Sequence, residues 1–308
     1  MGSSRALKRI LVGFALALAA SAAAAQPAPG TGPSLPLFGP NLPGLPPPVA
    51  PNLAPAPTGQ VVLSLSAAFA PDGKPIRSGL VWRIFEDRGE AAAPTPVARS
   101  TDPAPTFTLA PGNYVIHAAY GFAGASKHIT VQAGSLVERL AISAGALKFA
   151  GAVADSPIYQ NQLSFSVYVP IGPNSEGRLV IGNAKAGDVI RLPEGTYHVV
   201  STYGDSNAIT RSDLKVEAGR VIEATFNHRA ATVTLKLVGS EGGEAFAGTA
   251  FSVLTPGGDV IREAIGAFPS VTLAEGEYVL IARHEGQVYT REFKVETGLN
   301  RDIEIVAR

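Results

Sequence analysis

One eight-residue stretch occurs three times in this sequence and decides the prediction of its fold. It reads LAPGNYVI at residues 109–116, LPEGTYHV at 192–199 and LAEGEYVL at 273–280. The tyrosines of the three stretches are 83 and 81 residues apart. A fixed period of this kind predicts a tandem repeat. The shared positions are Leu109, Gly112, Tyr114, Leu192, Gly195, Tyr197, Leu273, Gly276 and Tyr278.

Three further anchors recur in the same order around this motif. Upstream, LSL at 63–65 is aligned with LKF at 147–149 and LKL at 235–237, and WRIF at 82–85 with FSVY at 165–168 and FSVL at 251–254. Downstream, VQAG at 131–134 returns as VEAG at 216–219 and VETG at 295–298. The repetition of all four anchors indicates three copies of one unit, which we assign to residues 59–143, 144–227 and 228–308.

Each copy has the residue pattern of short β-strands separated by turns. Between Tyr114 and Tyr120 one set of residues (Tyr114, Ile116, Ala118 and Tyr120) alternates with another (Val115, His117 and Ala119). This period of two predicts a strand buried on one face. Pairs such as Gly242-Gly243 are typical of the turns between strands. Six or seven short strands in about 80 residues favour a small sandwich. The predicted fold is therefore all-β, with three tandem immunoglobulin-like antiparallel β-sandwich domains.

We expect the repeated leucine, glycine and tyrosine to be a structural motif. The leucine closes a strand and faces the core, and the glycine supplies a backbone conformation that a side chain would penalise. In immunoglobulin-type sandwiches a tyrosine in such a place forms a tyrosine corner, in which its hydroxyl bonds a backbone group a few residues upstream. The alternative is a ligand platform of tyrosine rings. Alternation places the rings on the same face as Ile116, Val199 and Leu280, which favours the structural role.

The motif as a whole resembles the carboxypeptidase regulatory-like (transthyretin-like) family. The similar features are G-x-Y with an apolar residue two positions later, then V-x-A-G and an apolar last strand. The chain is also similar to PEGA-type and other immunoglobulin-like modules of bacterial envelope proteins. The resemblance covers roughly residues 59–308 and implies a non-catalytic accessory module that contacts protein or carbohydrate. The third copy departs from the pattern at His284, where the others have Tyr120 and Tyr203, and at Thr297.

The first 25 residues have the layout of a secretory signal peptide. Basic Arg5, Lys8 and Arg9 precede an apolar run over 10–20, and small residues end at Ala25 before Gln26. This pattern predicts cleavage after Ala25. The run is shorter than the roughly 20 residues that span a bilayer, so an uncleaved anchor is the less favoured alternative. We expect a periplasmic or secreted protein with no membrane span after cleavage of the leader.

Residues 26–58 are rich in proline and are predicted to be an extended or disordered linker. Proline removes the backbone donors that helices and sheets need. The favoured role is a spacer between the folded part and another structure. The alternative is a docking peptide anchored by Leu35, Leu37 and Phe38.

Composition excludes several function classes. The chain has no cysteine, which excludes disulfides, thiol catalysis and Cys-ligated zinc. It has 25 Lys+Arg and 25 Asp+Glu, so it lacks the basic surplus of a nucleic-acid binder. Loss of the leader removes three basic and no acidic residues, which leaves 22 against 25 and a net charge of −3. We therefore expect no nucleic-acid partner.

No residue pattern argues for chemistry or for a bound metal. The histidines have no metal-ligand spacing, and there is no G-x-S-x-G turn. His117 and His198 are expected to face solvent, and His284 to pack beside a strand. Trp82 could stack on a sugar, but its repeat equivalents Phe165 and Phe251 favour a core position. We predict no catalytic residues, no metal, no cofactor and no enzyme activity.

The predicted function is an exported interaction or scaffold module of the cell envelope, with a protein partner. The alternative is a carbohydrate- or peptidoglycan-binding accessory module, and a divergent hydrolase is the third hypothesis. An exposed aromatic pair on one sheet face would favour sugar binding. An apolar patch of more than a few hundred Å² would favour a protein partner. A deep pocket with clustered carboxylates would favour a hydrolase.

Overall fold

Alternation of apolar and polar residues produces strands that are buried on one face, as the sequence pattern predicted. In the strand Leu80–Glu86, for example, Leu80, Trp82 and Ile84 are buried and the residues between them are not. The computed structural model describes residues 59–70, 73–88, 95–132, 134–172 and 177–308. The predicted leader over 1–25 and linker over 26–58 lie outside the described residues.

The described residues form 22 strands and one short 3-10 helix, Gln160–Gln162. The first copy contains β1 Val61–Phe69, β2 Leu80–Glu86, β3 Pro96–Ser100, β4 Thr106–Leu109, β5 Gly112–Tyr120, β6 Ala123–Val131 and β7 Ser135–Ile142. The second contains β8 Ala144–Val153, β9 Ser156–Pro157, β10 Leu163–Val169, β11 Arg178–Ala184, β12 Val189–Pro193, β13 Gly195–Tyr203, β14 Ala208–Val216 and β15 Val221–Asn227. The third contains β16 Ala230–Val238, β17 Ala250–Leu254, β18 Val260–Ile265, β19 Ser270–Ala274, β20 Gly276–His284, β21 Gln287–Val295 and β22 Arg301–Val306.

Each copy folds into two sheets, and the strand order is the same in all three. The first copy has β4-β1-β7 and β3-β2-β5-β6, the second β12-β8-β15 and β11-β10-β13-β14, and the third β19-β16-β22 and β18-β17-β20-β21. β9 adds only a short pairing with β8. The predicted fold class is therefore confirmed: the described part of the chain is all-β and forms tandem immunoglobulin-like sandwiches.

Two details differ from a purely antiparallel immunoglobulin domain. In each copy the first and last strands pair in parallel: β1 with β7, β8 with β15 and β16 with β22. Because the direction of the seven main strands alternates along the chain, the first and seventh run the same way. Immunoglobulin constant domains group their first strand with the second, fourth and fifth, whereas here the first strand lies between the fourth and the seventh.

The two sheets of each copy enclose a hydrophobic core of their own. The three core clusters run from Val61 to Ala144, from Leu147 to Ala230 and from Ala231 to Ile305. Trp82, Phe165 and Phe251 are 0%, 0% and 1% exposed, so the aromatic anchors of the three copies are core residues. The domain boundaries at 143/144 and 227/228 stay a prediction, which these separate cores support.

The first strand of the third copy begins in a different register from the one predicted. In the pairing of the first with the fourth strand, the partners are Val61–Leu109, Gly145–Leu192 and Ala231–Leu273. Leu63 and Leu147 are therefore equivalent to Val233, so the alignment of LSL and LKF with LKL at 235–237 is wrong by two residues. A shift of two leaves every side chain on the same face, so apolar alternation does not distinguish the registers.

Candidate functional site

The three motif tyrosines occupy equivalent positions near the start of β5, β13 and β20. Tyr114, Tyr197 and Tyr278 are 6%, 5% and 4% exposed, and each belongs to a different core cluster. Each hydroxyl donates a hydrogen bond to the carbonyl oxygen four residues upstream, at 3.0 Å to Ala110, 2.9 Å to Pro193 and 2.9 Å to Ala274. This is the tyrosine-corner geometry. The purely structural role of the motif stays a prediction, which tyrosine-to-phenylalanine variants can test.

The other two positions of the motif differ in how they fit the prediction. The leucines are buried, at 8% for Leu109 and 0% for Leu192 and Leu273. The glycines 112 and 276 do not have a positive φ, so the predicted backbone role is wrong there. Instead the tyrosine ring packs against the glycine: a Cβ at Gly112 would lie 3.5 Å from the Tyr114 ring. The left-handed conformation occurs in the V-x-A-G turn, where Gly219 has φ +72° and Gly298 +75°.

Consecutive copies contact each other through hairpins. The hairpin between the fifth and sixth main strands of one copy packs against the fourth main strand of the next copy. Gly121, between β5 and β6, has φ +64°, and a Cβ there would lie 2.6 Å from the Cβ of Arg191 in β12. Gly204, between β13 and β14, has φ +72°, and its Cβ would lie 2.7 Å from the Cβ of Thr272 in β19. Arg191 and Thr272 each directly precede the motif leucine, so both joints use the same contact.

In a second contact at each joint, the V-x-A-G turn of the later copy packs against the end of the first strand of the earlier copy. Gly219 in the V-x-A-G turn of the second copy lies against Phe69 at the end of β1, with a Cβ distance of 3.5 Å. Gly298 of the third copy lies against Ala154 and Val153 at the end of β8, at 3.3 and 3.7 Å. In the observed register Phe69 and Val153 are equivalent. The two joints are therefore built from the same pair of contacts.

The first joint is largely aromatic. The guanidinium of Arg191 lies over the ring of Tyr120, 5.1 Å from its centroid. Tyr120 also contacts Phe69 edge to face, at 5.5 Å between centroids. The backbone N–H of Phe122 donates to the carbonyl oxygen of Arg191 at 3.0 Å. One residue, Ser143, separates β7 from β8, which keeps this joint short.

The second joint is polar and includes a motif tyrosine. The side-chain amide of Asn207 donates to the hydroxyl of Tyr278 at 2.9 Å, and its oxygen accepts from the N–H of Ala274 at 3.0 Å. Arg262 and Asp205 form an ion pair across the joint at 2.5 Å. An asparagine in a loop carries no sequence signal for such a contact, and sequence reasoning missed it.

His228 lies in the two-residue linker of the second joint and is 2% exposed. Its Nε2 is 2.8 Å from the hydroxyl of Ser201, and its Nδ1 is 3.4 Å from that of Thr210. Burial lowers the pKa of His228, and a backbone hydrogen bond at Ala208 opposes this effect. Sequence reasoning assigned no role to this histidine.

A cleft of about 550 Å³ opens beside His228 at the second joint, with Arg229, Glu275, Glu277 and Lys294 in its wall. Arg229 donates two hydrogen bonds to Glu275, both at 3.0 Å. These bonds, followed by one from Thr297, lower the pKa of Glu275. The two bonds from Arg229 therefore make Glu275 a poor proton acceptor.

The remaining histidines are placed on the outward sheet faces or at strand ends. His198 pairs with Asp213 at 2.7 Å, and His128 with Asp87 at 3.0 Å. His284 stacks on Phe246 at 5.2 Å, as its predicted packing beside a strand required. His117 and His198 lie on the outward faces, but both are half-buried rather than solvent-exposed as expected. Burial, followed by the charge of Arg83, lowers the pKa of His117.

The described residues hold no group of three or more histidine, aspartate and glutamate side chains placed to bind a metal ion. Within the same ranges, no helix has the length and apolar character that a membrane crossing requires.

Comparison with known proteins identifies one sequence family. Residues 232–307 match the family described as the Rhizobiales growth-associated tandem repeat domain. No curated protein matches the chain.

Three of the solved structures similar to this chain are the Bacillus anthracis TIE protein and two pilins. The Bacillus anthracis TIE protein is 16% identical, with 81% of this chain and 50% of that chain covered and a TM-score of 0.24. This chain therefore spans half the length of that protein. A Streptococcal ancillary pilin is 13% identical, with 81% and 99% covered and a TM-score of 0.27. GBS52, the minor pilin of Streptococcus agalactiae, is 14% identical, with 54% and 94% covered and a TM-score of 0.28.

Proposed function

We propose that the protein is a non-catalytic, exported interaction module whose tandem sandwiches present their outer sheet faces to a protein partner in the cell envelope. The observation that supports it most is the contrast between the joints and the outer faces. The joints repeat the same two contacts, which fixes neighbouring copies relative to each other. The outward position next to the core aromatic is Arg83 in the first copy and a serine, Ser166 or Ser252, in the other two, so the first copy offers a different surface from the others.

We also propose that the copies are related to one kind of envelope accessory module. The tyrosine-corner bonds and the packed leucines support a carboxypeptidase regulatory-like or PEGA-type accessory module. Such a module contributes a surface rather than catalytic residues. We place it in the periplasm or outside the cell, delivered by the leader over 1–25 and held away from its attachment by the linker over 26–58. The growth-associated description of the matching family favours a partner at sites of envelope growth.

A glycan is the second candidate partner, and one observation favours it. Tyr168 and His198 lie side by side on the outer face of β10 and β13, with ring centroids 6.5 Å apart. Such a pair of rings is the kind of surface on which a sugar can stack. His198 is held in place by Asp213. Peptidoglycan is then the relevant ligand class for this face.

Affinity capture distinguishes these functions. The full chain with a C-terminal tag is expressed in its own host, crosslinked in growing cells and purified from the envelope fraction. A stoichiometric protein partner is the expected result. Binding to purified peptidoglycan that Tyr168→Ala abolishes would support the glycan alternative instead. Recovery of the chain with neither a protein nor a glycan would contradict the proposed function.

A further inference from the structure

Three nitrogen-bearing side chains form a row across the outward face of the four-stranded sheet β3-β2-β5-β6, which we call the outer sheet of the first copy. In the strand register, Arg99 of β3 lies directly opposite Arg83 of β2, and Arg83 directly opposite His117 of β5. Ser126 of β6 continues the row opposite His117. Adjacent strands are about 4.8 Å apart, so the row from Arg99 to His117 is about 10 Å long. The flanking Trp82 and Ile116 are buried, which places the row on the outward face.

This row is unfavourable for the folded sandwich by itself. Like charges directly opposite each other on neighbouring strands repel and destabilise the sheet. Within the described ranges, neither Arg83 nor Arg99 has an ion pair or a hydrogen bond from its side chain that would offset the repulsion. Burial, followed by the charge of Arg83, lowers the pKa of His117. Because this row does not stabilise the sandwich, we infer that its role lies in binding.

The other two copies do not carry the row. The position of Arg83 is Ser166 in the second copy, opposite Val200, and Ser252 in the third, opposite Ile281. Ser252 also lies opposite Glu263, so the third copy has a carboxylate where the first has a cation. The row is therefore a feature of the first copy and not of the repeated unit.

The chemistry of the row selects carboxylates. Arginine presents a planar fork of donors that binds a carboxylate through two hydrogen bonds, and two such groups side by side hold successive carboxylates. The surroundings are apolar: Val97 is 48% exposed on β3, and Phe85 and Val115 are half-buried on the outward faces of β2 and β5. Phe85 has no ring contact within the described ranges, and Trp82 and Tyr114 face the core, so a sugar finds no pair of rings to stack on here. Cations among apolar side chains match an acidic polypeptide in which glutamate or aspartate alternates with apolar residues.

We propose that Arg83, Arg99 and His117 form a carboxylate-binding row on the outer sheet of the first copy, which docks an acidic segment of a protein partner. This inference rests on the proposed function, since it names the chemistry of one partner contact. The inference assigns the partner contact to one sheet of one copy, whereas the proposed function does not say which copy binds.

The test uses the full chain and a short poly-L-glutamate peptide as the probe, titrated at low and at physiological salt. We expect binding to the wild-type chain and a loss of roughly tenfold in affinity for the double variant Arg83→Gln, Arg99→Gln. The matched control is Arg178→Gln, Arg283→Gln, which removes the same charge from exposed positions on the corresponding four-stranded sheets of the second and third copies. The control should bind the peptide as the wild type does.

Three results would overturn the proposal: no binding of poly-L-glutamate, an equal loss in the control variant, or preferential binding of polygalacturonate, which would assign the row to an acidic glycan. The melting temperature separates binding from folding, because removal of the repulsion should not lower it. If no variant loses poly-L-glutamate binding and the double variant still captures an envelope partner, the carboxylate-binding role of the row is wrong. The proposed function is unaffected by that result.

Discussion

Alanine substitutions at the hairpin tips test whether the copies are fixed to one another by specific contacts. Gly121 and Gly204 touch the following copy, and a Cβ at either position would overlap it at 2.6 and 2.7 Å. Gly286 lies in the corresponding hairpin of the third copy with φ +80°, and a Cβ there would meet nothing within 4 Å. The third copy has Glu285 at the position of Gly121 and Gly204, with φ +47° and an 86% exposed side chain. Gly286→Ala is therefore the matched control.

The expected magnitudes follow from two separate costs. A side chain in the left-handed region costs roughly 1–2 kcal/mol, and all three variants share this cost. Overlap with a packed neighbour costs typically 1–3 kcal/mol more, and only Gly121→Ala and Gly204→Ala incur it. At Gly121 the carbonyl oxygen of Arg191 would lie 2.8 Å from the new Cβ. A backbone atom cannot rotate away, so we expect Gly121→Ala to lie in the upper part of this range.

Calorimetry and limited proteolysis of the full chain measure the two effects. For a domain of this size 1 kcal/mol shifts the melting temperature by about 4–8 °C. We expect Gly121→Ala and Gly204→Ala to lower it by clearly more than Gly286→Ala, and to expose the linkers at Ser143 and His228 to protease. The reasoning is refuted if the three variants have the same melting temperature and the same cleavage pattern.

Three further predictions concern single side chains. Tyr197→Phe should cost about 1 kcal/mol of unfolding free energy, and Tyr278→Phe about 2 kcal/mol because it also leaves the amide of Asn207 without its acceptor; equal costs in urea denaturation would contradict the joint contact. Below the ordinary His pKa of 6.5 the unfolded chain protonates His228 while the folded chain resists it, so stability should fall with falling pH down to the lowered pKa. A melting-temperature profile of His228→Gln should have a smaller slope, because His117, whose pKa is lowered by burial and by Arg83, still contributes. An unchanged slope would assign the effect to other groups. Arg99→Gln should raise stability by about 0.2–1 kcal/mol, since it removes a like-charge contact with Arg83; a drop in melting temperature would count against the repulsive row.

The strands and the core could be predicted because their signals are local and repeated. Trp82, Phe165 and Phe251 recur at the same place, and their common apolar character indicated one buried position. Period-2 alternation placed Tyr114 and its equivalents on the inner face for the same reason. Alternation has no power to fix a register to better than two residues, however, and this is why Val233 rather than Leu235 is equivalent to Leu63.

The joints and the outer faces could not be predicted, because they depend on residues that are distant in sequence. Asn207 meets Tyr278 across 71 positions, and nothing in the loop around it distinguishes this amide from a solvated one. The row of Arg99, Arg83 and His117 exists only once three strands are in register. The role of the motif glycines was misjudged because ring packing and a positive φ both favour glycine, and the sequence pattern is the same for both.

The second joint also changes what the repeated motif means in the third copy. Tyr278 donates to Ala274 as its equivalents do, and it accepts from Asn207 of the preceding copy. The same hydroxyl therefore stabilises the corner of one sandwich and the position of its neighbour. A structural and an interaction role are usually weighed as alternatives for a repeated tyrosine, but here one atom serves both. Loss of that hydroxyl should loosen the joint and the corner together, so the second and third copies are coupled through the motif that closes the core of the third.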